Sequence, residues 1–190
     1  MTSTITQNPR IYPGLICNGI EFFLQEGNLK VLSKGRTKDF IDAPYAYHQI
    51  LEEAIDKEPE VNKLLQKWYP NSKLKRLVQF GSCRFGGLDF QPDVVDFKLQ
   101  PGEYRECPLR GSCKGEGIIC KAPVCKGEAI SFEEVKLIKL LVTTDTNENI
   151  ATKLKLAMGT LHLVKKNLYQ KLKIQTKQEL AIIAMDLNLI

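Results

Sequence analysis

Four of the chain's six cysteines, Cys107, Cys113, Cys120 and Cys125, fall within the nineteen residues CPLRGSCKGEGIICKAPVC. They are separated by five, six and four residues, close enough for four thiolates to share one tetrahedral ion. Zinc in closed structural sites takes four sulfurs at about 2.3 Å each. Iron–sulfur clusters are also held by four cysteines, with spacings that vary as widely. Paired Cys-x-x-Cys knuckles are missing, so a third reading stands beside these, in which the thiols are unligated and pack as small hydrophobes. Gly111, Gly115 and Gly117 would let the loop wrap an ion, and Arg105, Arg110, Lys114, Lys121 and Lys126 would offset thiolate charge. The segment expects one zinc on Cys107, Cys113, Cys120 and Cys125, with an iron–sulfur cluster or no metal as the alternatives. Cys17 and Cys83 stand apart and read as buried apolar side chains.

Other arrangements invite a catalytic reading, and none sustains it. Gly81, Gly86 and Gly87 form a loose glycine-rich run, but no Gly-Lys-Ser/Thr follows them. Asp89, Asp93 and Asp96 cluster around Pro92, where they read as turn residues. His48 and His162 lie far apart, and neither a nucleophile elbow nor a His-Glu-x-x-His pattern is present. No enzymatic activity is expected.

The elements that must position these groups are legible in part. A charged fraction of 26% and a net charge of +5 fit a globular protein that tolerates a nucleic-acid partner without requiring one. Apolar runs are too short to span a membrane. The opening MTSTITQNPR lacks a basic, then apolar, leader. A cytoplasmic protein with reduced thiols is the expectation. Gly19 to Leu32 holds two apolar runs around Glu26-Gly27-Asn28, a hairpin signal. Tyr45 to Lys57 reads as a helix with Ile50, Leu51 and Ala54 on its inner face. A second helix restarts at Pro59 and stops at Pro70. Residues 73–98 alternate irregularly and predict short strands and turns. Together residues 1–102 read as an α+β domain of no identified family, followed by a cysteine-rich connector over 103–126.

Residues 127–190 are more explicit. Ser131 with Glu134, and Thr176 with Glu179, are capping boxes opening the first and last of four short helices. Thr146 caps a second helix, and Leu161, Val164, Leu168 and Leu172 give a third its apolar stripe. From Asn149 to Gln178 the chain has seven lysines and no Asp or Glu. A basic helix, short turn and second helix is the geometry that enters a major groove. Lys165, Lys166 and Lys171 would neutralise phosphates, while Thr160, His162 and Asn167 carry short polar groups suited to bases or backbone.

This stretch resembles the LuxR/GerE-type helix-turn-helix domain of bacterial transcription regulators. The family pattern is Thr-Val-x-x-His-x-x-Asn-Ile-x-x-Lys-Leu. Thr160, Asn167, Lys171 and Leu172 match it outright, and Leu161 and Leu168 match in kind. Ser131 and Glu134, then Asn147, Ile150, Ala151 and Leu154, then Glu179 and Leu180 fall on further family positions without a gap. Val164 departs from the family's histidine, Asn149 from a capping glutamate, Thr144 and Lys155 from common glycines, and Ala157 from a capping serine. The resemblance implies a sequence-specific transcription regulator of bacterial or phage type that binds double-stranded DNA as a homodimer through its last helix. Two alternatives remain open. The divergent tip could dock on RNA polymerase or another regulator, or the cysteines could make the protein a metal or redox sensor.

Overall fold

Residues Glu26-Gly27 and Lys34-Gly35 all have positive φ. Two-residue loops of that kind match the twist of paired strands and fold the chain back on itself. They join β1 (Glu21–Gln25), β2 (Asn28–Ser33) and β3 (Arg36–Asp39) into an antiparallel sheet in the order β1-β2-β3. The computed structural model describes residues 11–190. The N-terminal stretch in which a leader was sought lies outside the described residues. The fold is α+β, with seven α-helices and small sheets among the described residues, and the chain divides into one unit ending at Gly102 and another spanning Glu103–Ile190.

In the first unit α1 (Tyr45–Asp56), α2 (Pro59–Trp68) and α3 (Lys73–Arg84) accompany the sheet. Phe22, Phe40, Leu51, Leu65, Phe80 and Phe85 are fully buried and form its core. The sequence reading of 73–98 as strands and turns is corrected here, because residues 73–84 are helical. Ser72 accepts a hydrogen bond from the Lys75 N–H and starts α3, while Leu77 and Phe80 supply an inward stripe. Gly81 is a packing residue rather than a turn: a Cβ there would lie 2.6 Å from Leu29 Cδ2. The short β4 (Val94–Val95) and β5 (Lys98–Leu99) follow. Asp89 does accept a turn hydrogen bond, from the Gln91 N–H at 2.5 Å. Asp93 does not decorate a turn; it is buried and accepts the Phe22 N–H at 2.7 Å. The inner face of α1 is Leu51 and Ile55, with Ile50 only half-buried. Cys17 is exposed and Cys83 half-buried, so neither is the buried apolar residue expected.

The second unit begins with the cysteine segment and continues through β6 (Val124–Cys125) and β7 (Glu128–Ala129) into four helices. These are α4 (Phe132–Leu141), α5 (Asn147–Leu154), α6 (Met158–Leu172) and α7 (Lys177–Asp186). Both capping boxes form, at Ser131–Glu134 and Thr176–Glu179, and Thr146 accepts from the Asn149 N–H. Ile138, Ile150, Leu161, Leu168, Leu172 and Leu180 make one continuous core. Truncating any of the fully buried leucines would cost about 2–5 kcal/mol. Among the described residues no helix is long and apolar enough to cross a membrane.

Candidate nucleic-acid interface and the cysteine segment

Helix α5 ends at Lys155, whose φ of 55° reverses the chain. Leu156 and Ala157 complete a three-residue turn into α6. Leu161, Leu168 and Leu172 anchor α6 to the core, so the opposite arc of the helix must face outward. That arc carries Gly159, Thr160, His162, Leu163, Lys166, Asn167 and Gln170, all exposed. Four of the six sequence-predicted DNA-contact residues, Thr160, His162, Lys166 and Asn167, therefore share one surface. Leu163 and Gln170 were missed by sequence reasoning. Leu163 is 58% exposed at the centre of the arc, and its place outside the apolar stripe was the available signal.

The other two lysines are set apart. Lys165 is half-buried, with Nζ 5.7 Å from the centre of the Tyr169 ring. Lys171 Nζ donates to Glu134 Oε1 and Oε2 at 2.9 and 2.7 Å, tying α6 to the first turn of α4. Burial alone would push the Glu134 carboxyl up. Lys171, together with the Ser131 N–H and hydroxyl, outweighs burial and holds it below the usual carboxylate range. Lys153 is spent on Asp145 at 2.6 Å, and Lys177 on the Thr143 carbonyl. Lys155, Lys166 and Lys173 are exposed and make no ion pair among the described residues. The usable positive charge is thus smaller than the seven lysines of the sequence.

The start of α6 adds to this surface. Ala157 provides no side-chain cap, and no acid lies in the first turn. The unsatisfied N–H groups there carry the positive end of the helix dipole, a ready site for a phosphate oxygen. Glu148, at the start of α5, is held ionised below its usual range, first by a backbone hydrogen bond and then by the Thr146 side chain, with His162 contributing charge attraction.

The cysteine segment is organised around Arg110. Its guanidinium stacks over Tyr104 and Phe132, at 5.1 and 4.1 Å from the ring centres. It donates to the Arg105 carbonyl at 2.7 Å and lies 3.8 Å from Glu116. Glu106 pairs with Lys139 of α4 at 2.7 Å. Lys126, in the β6–β7 turn, donates to the Leu172 carbonyl at 2.9 Å and so caps the C-terminus of α6. Cys107, Cys113, Cys120 and Cys125 are all half-buried and free of disulfides. Cys113 Sγ accepts the Gly115 N–H at 3.3 Å, and Cys120 Sγ lies 3.9 Å from Arg110 Nη1. No three of the four sulfurs lie within 4.8 Å of one another, whereas four zinc–sulfur bonds of about 2.3 Å would set sulfurs about 3.8 Å apart. Backbone turns, rather than gathered sulfurs, close the loop in this structure.

No curated protein and no solved structure matches the chain. A family model does match, over residues 128–184, and its description is that of bacterial regulatory proteins, luxR family. The matched span takes in α4, α5 and α6 and most of α7. With the outward arc of α6 in place, residues 128–184 are a helix-turn-helix domain of the luxR family, and the protein is in general terms a DNA-binding transcription regulator.

Proposed function

We propose that the protein is a sequence-specific regulator of bacterial or phage type, acting in the cytoplasm, whose α6 enters the major groove of duplex DNA. The observation that carries this reading is the acid-free outward arc of α6, with Lys166 and an uncapped N-terminus beside His162, Leu163 and Asn167. Lys166 and the first-turn N–H groups hold phosphates. His162 and Asn167 reach base edges, and Leu163 packs on a thymine methyl. Lys171 acts as a positioning residue that fixes α6 against α4. Ile182 and Met185 of α7 and the nearby Ile190 are exposed, and two copies joined there would read paired half-sites. Selection from random duplexes by the full-length protein tests the reading. Enrichment of one two-fold motif supports it. Absence of any motif, with capture of RNA polymerase abolished by Leu163→Ala, would favour the docking alternative.

We further propose that Cys107, Cys113, Cys120 and Cys125 take up one zinc ion. The Gly115 N–H on Cys113 Sγ and the Arg110 guanidinium beside Cys120 Sγ support this, because donors of that kind are the outer-shell partners that orient metal-bound ligands. Zinc would draw the sulfurs together and add its binding energy to the folding of the segment. About one zinc per chain by elemental analysis is expected. Iron with sulfide in its place would favour the sensor reading, and metal-free protein with an equally protease-resistant segment would exclude the site.

A further inference from the structure

The sheet of the first unit bears a cleft of about 420 Å³ that the DNA-binding reading does not use. Its floor is Val31, which is buried, and its walls include Pro44 and Tyr47 at the start of α1. Its rim carries three cations: Lys34, in the β2–β3 turn, and Arg36 and Lys38 on β3. The pairing dictates this grouping. Val31 lies opposite Lys38 and Ser33 opposite Arg36. Directly paired residues point to the same side of a sheet, and residues two apart on a strand share a face. The one acid of β3, Asp39, falls on the other face, where it is held by Lys30 at 2.6 Å.

No acid lines the cleft, and Lys34, Arg36 and Lys38 form no ion pair among the described residues. Like charges held on one face repel unless an anion sits among them. The Tyr47 hydroxyl is hydrogen-bonded to Ser33 Oγ at 3.0 Å, which fixes the aromatic wall against the sheet. Helix α1 opens beside it after Pro44, with no side-chain cap and no acid in its first turn.

We propose that this cleft binds a phosphorylated small molecule of nucleotide size. The three cations face its di- or triphosphate group, and its planar apolar part lies over Val31 between Pro44 and Tyr47. The volume falls in the range of small-molecule sites. A concave apolar floor beneath a cationic rim favours such a ligand over a DNA backbone, which would need only exposed charge. The first unit would then supply the effector input to the regulator.

The test is calorimetric titration of the full-length protein with pyrophosphate, ADP and ATP in turn. ADP and ATP should saturate one site, with pyrophosphate binding more weakly. Arg36→Gln and Lys38→Gln should each weaken ADP binding about tenfold or more, since each removes a charge-assisted contact. Both positions are exposed, and unchanged circular dichroism would confirm that the variants fold. The proposal is overturned if none of the three probes binds below about 1 mM, or if Arg36→Gln and Lys38→Gln leave ADP binding unchanged. It is equally overturned if those variants weaken duplex DNA and not ADP, because the cations would then serve DNA phosphates. A failure here leaves the reading of α6 intact, since Lys166→Ala probes that surface separately.

Discussion

Replacing Glu134 or Lys171 separates charge spent inside the domain from charge left on its surface. Lys171 Nζ reaches both oxygens of Glu134, and the two side chains are only 28% and 25% exposed. A fully exposed pair contributes about 0–1 kcal/mol. Partial burial and the double contact raise this one to about 1 kcal/mol of coupling, discounted for the solvent that still reaches it. Glu134→Gln keeps an acceptor for the Ser131 N–H and preserves the capping box, so it removes mainly the charge. Lys171→Met keeps the aliphatic stem. Each single change should cost about 1 kcal/mol, and the pair together should cost about 1 kcal/mol less than the sum. Urea unfolding followed by circular dichroism at pH 7 gives the four corners of the cycle. The folded pKa of Glu134 is depressed, so its contribution is complete above the unfolded carboxylate range. It is lost as pH falls through the lower, folded value. The stability gap between wild type and Glu134→Gln should therefore hold from about pH 8 to 6 and begin to close below about pH 4. A coupling indistinguishable from zero, or a gap that widens on acidification, would refute the assignment.

Three further outcomes follow from local geometry. Lys155 has a φ of 55° at the end of α5, so Lys155→Gly should stabilise the domain by about 0.5–1 kcal/mol in the same urea assay, against a loss if the residue is not left-handed. Ala157 leaves the start of α6 without a side-chain cap, and Ala157→Ser should add about 0.5–1 kcal/mol by the same measurement. Cys17 is exposed, and backbone hydrogen bonds from Gly14 and then Gly19 hold its thiol below the usual range. Its thiolate persists to lower pH, so its iodoacetamide reaction, followed by peptide mass spectrometry, should have a pH midpoint below that of a free cysteine peptide.

What could be read from the sequence was local. The capping boxes at Ser131 and Thr176, the Thr146 cap and the Pro59 restart each depend on residues within one helical turn, and the structure contains all four. The Glu26-Gly27 hairpin was legible for the same reason. Helix α3 was not, because Gly81 marks a close helix–sheet approach, and its partner Leu29 is remote in sequence. The fate of Lys171 was hidden likewise, since Glu134 lies 37 residues away. Counting lysines gives total charge. Only the packing shows that Lys153, Lys171 and Lys177 are spent within the domain while Lys155, Lys166 and Lys173 are exposed and make no ion pair among the described residues. Leu163 illustrates the converse, an apolar residue whose significance comes from lying on the side of α6 away from the core. The cationic cleft had no sequence signal, because it arises from strand register that sets Lys38 opposite Val31.

On the proposed function the outward arc of α6, and not the lysine content of the domain, holds DNA. Duplex binding by the full-length protein, measured across a salt series, tests it most directly when Lys166→Ala is compared with Lys171→Met. Lys166→Ala should weaken binding to all duplexes alike and lower the slope of log affinity against log salt by about 0.9, the loss of one phosphate contact. Lys171→Met should leave that slope unchanged under conditions where the variant is fully folded. Equal slopes for wild type and Lys166→Ala, or a slope lowered by Lys171→Met alone, would mean that the outward arc of α6 does not face the phosphates.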